Sequence, residues 1–232
     1  MICLTQNYLI VSEKIWNAEM HLALNKLGIG VFSNISAKQN LNVDYLRIIK
    51  PRYIFFPHWS HIIPESIFNE FECVVFHMTD LPYGRGGSPL QNLILEGVED
   101  TKISAIKVVE GLDAGPVFMK RDLSLSGSAS QIFERASSII ECMIEEMVLN
   151  PLQPTPQVGH PTVFKRRIPQ QSNIKAVDSG EKVFDMIRML DADGYPHAYI
   201  EIDNFRVEFT KVAKSNGKIS AKASFIKLKK EV

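Results

Sequence analysis

RYIFFPHWSHIIPESIFNEFECVVFHMTDLPYGRGGSPLQ, from Arg52 to Gln91, holds a strand–helix–strand unit and the loop that follows it. RYIFFP is a short apolar run closed by proline and reads as a buried strand; ECVVFHM reads as a second. Between them PESIFNEF has the proline expected in the first turn of a short helix. The second strand reaches His77, and Leu81-Pro82 and then Gly84, Gly86 and Gly87 around Arg85 follow at once. A turn needs one or two of these features. The whole cluster predicts a backbone shaped to bring a ligand close to His77.

The flanking sequence repeats the alternation. ICLTQNYLIV reads as extended, Ile15–Leu27 as an amphipathic helix ending at Gly28, IGVFSNI as a strand and VDYLRIIK as a helix. Beyond the glycines, SPLQNLILEG is a helix with a Ser-Pro start, and KISAIKVVE is a strand. Ile132, Phe133, Ala136, Ile139, Ile140, Met143 and Met147 fall at helical spacing, with Ser128 and Gln131 as a capping box and Pro151 as the stop. Residues 1–151 are therefore expected to form an α/β domain with an open, mostly parallel, Rossmann-like sheet. Residues 152–175, which open within PLQPTPQVGHP, read as a Pro-rich connection. Residues 176–232 read as a small C-terminal α+β subdomain, with a helix at EKVFDMIRMLD and a strand pair, AYIEIDNFRVEFTKV and KISAKASFIKLKK.

Lysine plus arginine equals aspartate plus glutamate, 26 of each, so no global field selects nucleic acid or an acidic membrane. The basic KLKKEV end reads as a solvated strand end. Cys3, Cys73 and Cys142 are odd in number and lack metal-ligand spacing. With no signal-peptide pattern in MICLTQNYLIVSEK and no bilayer-length apolar run, a cytoplasmic protein is expected. The apolar YIEIDNFRVEF stretch is consistent with a homodimer.

Open parallel sheets bind ligands at the carboxyl ends of their strands. PHWSHIIP, HMTDLPYGRGGSP and EGLDAGP are expected there. Alone, His77 is more often structural and Asp113 more often a turn residue or cap. Together, a carboxylate orients an imidazole and balances its charge, the logic of acid–base sites. GRGG matches neither GxGxxG nor GxxxxGK[ST], so a dinucleotide site is not expected. His58 and His61 lack further ligands at metal spacing, and no G-x-S-x-G elbow is present. The residues alone reach an enzyme-like α/β domain with a His/Asp site.

FHMTDLPYGRGGSPLQNLI followed by GLDAGPVF, with His77 and Asp113 separated by 36 positions, resembles the 10-formyltetrahydrofolate-dependent formyltransferases. The resemblance runs from about Tyr53 to Pro169. It implies the formyltransferase fold, 10-formyltetrahydrofolate as formyl donor, and His77 and Asp113 as the catalytic pair. It also implies cofactor contacts along Ser60, His61 and Ile63 and along Glu110, Leu112 and Asp113. Substrate contacts are implied at Thr79, Arg85, Gly86 and Gly87, no metal is implied, and a cis Leu81–Pro82 peptide is expected. Within the family, DLPYGRGGSPL and the Gly-Tyr-Pro of MIRMLDADGYPHAYI look most like sugar N-formyltransferases. The expected acceptor is thus the amino group of a nucleotide-linked amino sugar, of pseudaminic-acid type, for surface-polysaccharide synthesis, with no nucleic acid and no membrane partner. The alternatives are another amine acceptor, such as an aminoacyl group on tRNA or on a carrier protein, and a non-catalytic folate- or nucleotide-binding module. One departure stands out: the family's asparagine, two residues before the histidine, is Val75 here, and Ser60, Thr79 and Asn92 are the polar side chains nearest in sequence that could replace it.

Overall fold

The computed structural model describes residues 6–228. Eleven strands and six α-helices lie in these residues: β1 (Asn7–Val11), α1 (Met20–Lys26), β2 (Val31–Ile35), α2 (Val43–Ile49), β3 (Tyr53–Pro57), α3 (Glu65–Phe68), β4 (Cys73–His77), β5 (Arg85–Gly86), α4 (Pro89–Leu95), β6 (Asp100–Lys107), β7 (Val117–Ser124), α5 (Ala129–Leu149), β8 (Val163–Phe164), α6 (Gly180–Arg188), β9 (Ala198–Ile202), β10 (Phe205–Ser215) and β11 (Lys218–Lys227). The chain divides into two compact units. One comprises the residues up to Gly86, Thr101–Leu123 and Glu134–Val163; the other comprises Gly87–Asp100, Ser124–Phe133 and the residues from Phe164 onward.

The sheet of the first unit has the order β2-β1-β3-β4-β6-β7. β1 runs parallel to β2 and β3, and β3 parallel to β4, as the strand–helix alternation predicts. β3 is buried along its whole length, which is why its sequence is an unbroken apolar run. β6 pairs antiparallel with β4, so the sheet is mixed at that edge. β7 carries no clear strand pattern in the sequence. Its VFMKRDLS sequence interrupts apolar alternation with charges that an edge strand can pair outward: Lys120 meets Asp80, Arg121 meets Glu146, and Asp122 meets Lys102.

The helix expected over Ile15–Leu27 is divided into a short 3-10 turn, Ile15–Asn17, and α1. Beside the break the buried Asn17 amide donates to Ser12 Oγ at 2.9 Å and to the Pro57 carbonyl at 3.2 Å, local side-chain bonds of the kind that compete with regular helix. Met20 and Leu24 then form the buried stripe, whereas Ile15, Leu22 and Leu27 are exposed. The expected capping box does form on α5: Ser128 N–H donates to Gln131 Oε1 at 2.9 Å, and Gln131 N–H to Ser128 Oγ at 3.4 Å.

In the second unit, β9, β10 and β11 form an antiparallel sheet in the order β11-β10-β9. The segment read as one strand, AYIEIDNFRVEFTKV, is a hairpin turning at Asp203, whose φ is 49°. Tyr195 of the Gly-Tyr-Pro segment stacks on Phe133 with ring centroids 5.2 Å apart. The extended reading of the N-terminus and the basic C-terminal end fall partly outside the described residues, Cys3 among them. Among the described residues, no helix is long and apolar enough to cross a membrane.

Candidate active site

β4 supplies the centre of the site. Its alternation puts Cys73, Val75 and His77 on one face. Cys73 sits in the apolar cluster of Leu9, Val11, Ile54 and Phe56, and Val75 packs partly buried against the same cluster. His77 ends the strand and is 8% exposed.

The antiparallel pairing of β6 changes how the carboxylate arrives. Lys107 lies opposite Val74, and Val108 N–H donates to the Cys73 carbonyl at 2.9 Å, so β6 ends beside the start of β4. The expectation that all three loops leave from carboxyl ends at the same edge is therefore corrected: the Glu110–Pro116 loop starts at the opposite edge. Four residues of strand cover about 13 Å, and the loop has to double back over the sheet face. It succeeds, since Asp113 Oδ2 is 3.5 Å from His77 Nδ1. Gly115 makes the return possible, because a Cβ there would stand 1.7 Å from the Lys107 carbonyl oxygen. Asp113 itself takes a left-handed conformation, φ 50°.

The other ring nitrogen is also engaged. His77 Nε2 lies 2.7 Å from the Gly84 carbonyl oxygen, which can only accept, so Nε2 carries the proton. Thr79, fully buried, points its hydroxyl to the same oxygen at 3.4 Å, and Ser104 Oγ donates to the Thr79 carbonyl at 2.7 Å. Gly84 and Gly86 hold φ of 72° and 101°, values that a side chain would strain. The Leu81–Pro82 peptide is cis, as the resemblance implied.

Residues of the Pro-rich connection pin this loop. Gly84 N–H donates to Thr162 Oγ1 at 2.7 Å, Arg85 N–H to the Thr162 carbonyl at 3.0 Å, and Thr162 N–H to the Pro82 carbonyl at 3.2 Å. Gly86 N–H donates to Asp113 Oδ2 at 2.9 Å. The Arg85 guanidinium donates to Gln157 Oε1 from Nε at 3.2 Å and from Nη2 at 2.8 Å. Gln157 Nε2 in turn donates to the carbonyls of Asp113 and Gly115, both at 2.8 Å. Neither Gln157 nor Thr162 has a periodic signal; each is one polar residue among prolines in PLQPTPQVGHPT.

The remaining expected residues divide by environment. Ser60 and Glu110 are exposed, whereas Ile63 is buried in the apolar cluster and offers only its backbone. Ile62 and Leu112 are 88% and 65% exposed, two large apolar side chains on the two loops expected to hold a flat heterocycle. His61 Nε2 meets Glu13 Oε2 at 2.8 Å, and that hydrogen bond holds the Glu13 carboxyl below its ordinary range. Gly87 belongs to the second unit, where a Cβ would stand 2.6 Å from Arg166 Cβ. Asn92, also in that unit, spends its amide on the Gly87 and Lys165 carbonyls. His58 accepts or shares hydrogen bonds with Trp16 at 3.1 Å and Asn17 at 3.2 Å, and burial pushes its imidazole down to about 3. Among the described residues no group of three or more His, Cys, Asp or Glu side chains could hold a metal ion.

A mixed α/β sheet of Rossmann-like architecture thus carries a buried imidazole, a carboxylate on a returning loop and a glycine turn locked around them, an arrangement suited to acid–base chemistry. Residues 10–131 match the family model described as Formyl transferase, and residues 169–226 match the model described as Methionyl-tRNA formyltransferase, C-terminal domain. The chain belongs to the formyl transferase family. It is similar to a solved methionyl-tRNA formyltransferase from Clostridium thermocellum, 48% identical, with a TM-score of 0.93, covering 96% of this chain and 99% of that one. It is 25% identical over 229 residues to the methionyl-tRNA formyltransferase of a Wolbachia strain of Drosophila simulans, covering 94% of this chain and 75% of the relative. The chain spans between 54% and 75% of the length of the first curated relatives it matches. A sugar N-formyltransferase from Shewanella shares the fold at a TM-score of 0.69 but only 15% identity over 90% of this chain and 98% of that one.

These matches overturn the expected acceptor. A nucleotide-linked amino sugar, the surface-polysaccharide role and the exclusion of nucleic acid all give way, because the relatives that match in sequence carry the tRNA enzyme's name. The physical reason lies in what the misleading motifs do. Gly84 and Gly86 answer backbone demands of the turn, and Tyr195 packs against Phe133; neither reports on an acceptor. The zero net charge also hid a local excess, since Phe209–Leu228 holds five lysines and no acidic residue.

Proposed function

We propose that this chain transfers the formyl group of 10-formyltetrahydrofolate to the amino group of methionyl-tRNA. The observation that carries the reading is the imidazole of His77 held between Asp113 and the Gly84 carbonyl, 3.5 Å and 2.7 Å away, in a chain 48% identical over nearly its full length to a protein named methionyl-tRNA formyltransferase. The folate, when bound, supplies a formyl group activated for attack by an amine. Ser60–Ile63 and Glu110–Asp113 would hold it through backbone edges, and Ile62 and Leu112 have the exposed apolar side chains that would cover a flat ring.

His77 is the group that manages charge. Its Nε2 proton passes from the Gly84 carbonyl to an oxygen that becomes negative as the amine attacks, the role of an oxyanion donor. Asp113, 3.5 Å from Nδ1, keeps the ring oriented and balances its positive charge when Nδ1 is protonated as well, while the amine's own proton leaves to solvent. Arg85, tied through Gln157 to the same loops, offers its remaining guanidinium protons to the acceptor. The lysine-rich β10–β11 hairpin supports a polyanionic acceptor, because such a ladder attracts phosphates without reading bases. The division into a catalytic part over 1–151, a connection over 152–175 and a small subdomain over 176–232 belongs to this reading.

The test is direct. The purified full chain is incubated with 10-formyltetrahydrofolate and methionyl-tRNA, and the esterified amino acid is analysed by mass spectrometry after mild base release. Formylmethionine is expected. Unformylated methionine, under conditions where an authentic methionyl-tRNA formyltransferase completes the reaction, overturns the assignment.

A further inference from the structure

Gln157 makes four hydrogen bonds, and all of them go to the two loops that build the site. Its carbonyl oxygen takes both donors on one edge of Arg85, and its amide nitrogen gives both protons to the Asp113 and Gly115 carbonyls. A primary amide has two acceptor sites and two donors, so the side chain is saturated. It is partly buried, on a segment of irregular backbone that follows α5.

The two carbonyls are not arbitrary. Asp113 is the residue whose carboxylate faces His77, and Gly115 is the one whose missing side chain lets the loop return over Lys107. On the other side, Arg85 stands between Gly84, whose carbonyl takes the His77 proton, and Gly86, whose N–H donates to Asp113 Oδ2. Hence Gln157 joins the Arg85 side chain, next to the Gly84 carbonyl that His77 donates to, with the loop that sets the Asp113 carboxylate 3.5 Å from the ring. We infer that Gln157 is a positioning residue: it holds the glycine loop and the Asp113 loop in register, so that His77 keeps its carboxylate partner. No other residue type of similar length offers an acceptor to a guanidinium and two donors to carbonyls at once. Glutamate would keep the arginine contact and present a charge to two carbonyl oxygens. Leucine would leave three polar partners without a bond.

This inference rests on the proposed formyl transfer only for its kinetic consequence, and a structural readout separates the two. The Gly86 amide, which donates to Asp113, reports the register directly. Its hydrogen exchange is followed by NMR in the unaltered chain, in Gln157→Glu and in Gln157→Leu. Exchange at Gly86 at least tenfold faster in both variants, with the amides of β3 and β4 still protected, is expected. Unchanged exchange at Gly86 overturns the inference whatever the acceptor proves to be. Should either variant fail to fold, Arg85→Met removes the opposite end of the bridge and is held to the same result.

Transfer rates then sharpen the assignment. Misplacing a reacting group by about 1 Å costs on the order of a hundredfold. Gln157→Glu is expected to lower kcat tenfold or more while leaving the folate KM within threefold. If Gln157 serves only to anchor Arg85, Gln157→Glu, which preserves that anchor, retains full kcat, and the positioning role is rejected. The Arg85→Met/Gln157→Leu pair is expected to lose little more than the worse single variant, because both remove one bridge. Full additivity of the two losses counts against a shared unit.

Discussion

The glycine loop around His77 and the β10–β11 hairpin are both polar, yet their polar groups do opposite things. At His77 nearly every donor meets a protein acceptor: Gly84, Gly86, Arg85, Thr79, Ser104, Thr162 and Gln157 bond to one another or to Asp113. In the hairpin, β11 is exposed along almost its whole length, and Lys218, Lys222 and Lys227 face solvent. Bonded groups fix geometry, whereas solvated charges create a field. The first arrangement suits chemistry that needs placement, and the second suits long-range attraction of a polyanion.

The largest break in this comparison is expected at the first region. His77→Ala and Asp113→Asn should each lower formyl transfer by about two to four orders of magnitude, the usual range for an acid–base group. Thermal melting of each variant should stay cooperative. Near-normal turnover in both would remove the site from the reaction.

The hairpin should respond in a different variable. Replacing Lys218, Lys222 and Lys227 together with alanine should weaken tRNA binding by about tenfold at moderate salt. The slope of log affinity against log salt should fall by roughly one for each phosphate contact removed. Melting temperature and transfer to a small amine should change little. A salt slope identical to that of the unaltered chain would detach the hairpin from RNA.

Val75 tests where placement ends and packing begins. Its side chain rests on the Leu9–Phe56 cluster, on the same face as His77. Val75→Asn should cost about 1–3 kcal/mol of stability, because an amide is buried against apolar groups. Denaturant titration measures that loss. A gain in turnover alongside it would identify the missing amide as a handicap of this chain, and an unchanged or lower turnover would mark a site rebuilt around valine.

The smallest effect is expected at His58. Burial, and secondarily Lys14, holds its folded value at about 3 against an ordinary 6.5. The unfolded chain therefore binds a proton between these values while the folded chain does not. Stability from this group is complete above pH 6.5 and declines as pH falls towards 3. From pH 6.5 to 5 the loss is about 1–2 kcal/mol at one titrating group. His58→Gln should have a shallower decline over that window, read as the difference between two denaturation series. Parallel curves would mean that His58 is protonated in the fold.

Much of the architecture was open to inspection in the chain itself. β1, β3 and β4 are apolar runs with no competing pattern, α5 has both its cap and its stripe, and His77 stands at the end of its strand with the glycines that follow. Local rules determine such features, because burial along a strand and capping of a helix depend on neighbours in sequence. The pairing of His77 with Asp113 was also legible, since the two motifs stand 36 residues apart and the fold sets the side chains 3.5 Å from each other. Three things lay beyond that reach. The antiparallel direction of β6 depends on which edge of β4 was left to pair, and its alternating sequence alone does not fix that edge. Gln157 and Thr162 carry no period and no motif; their partners lie between 42 and 80 residues away in the chain, so only folding brings donor to acceptor. The hairpin's charge was visible residue by residue, but its meaning was not, because a net charge of zero averages over a surface that the tertiary structure divides. Short-range sequence chose the strands; long-range packing chose the register in which His77 and Asp113 meet.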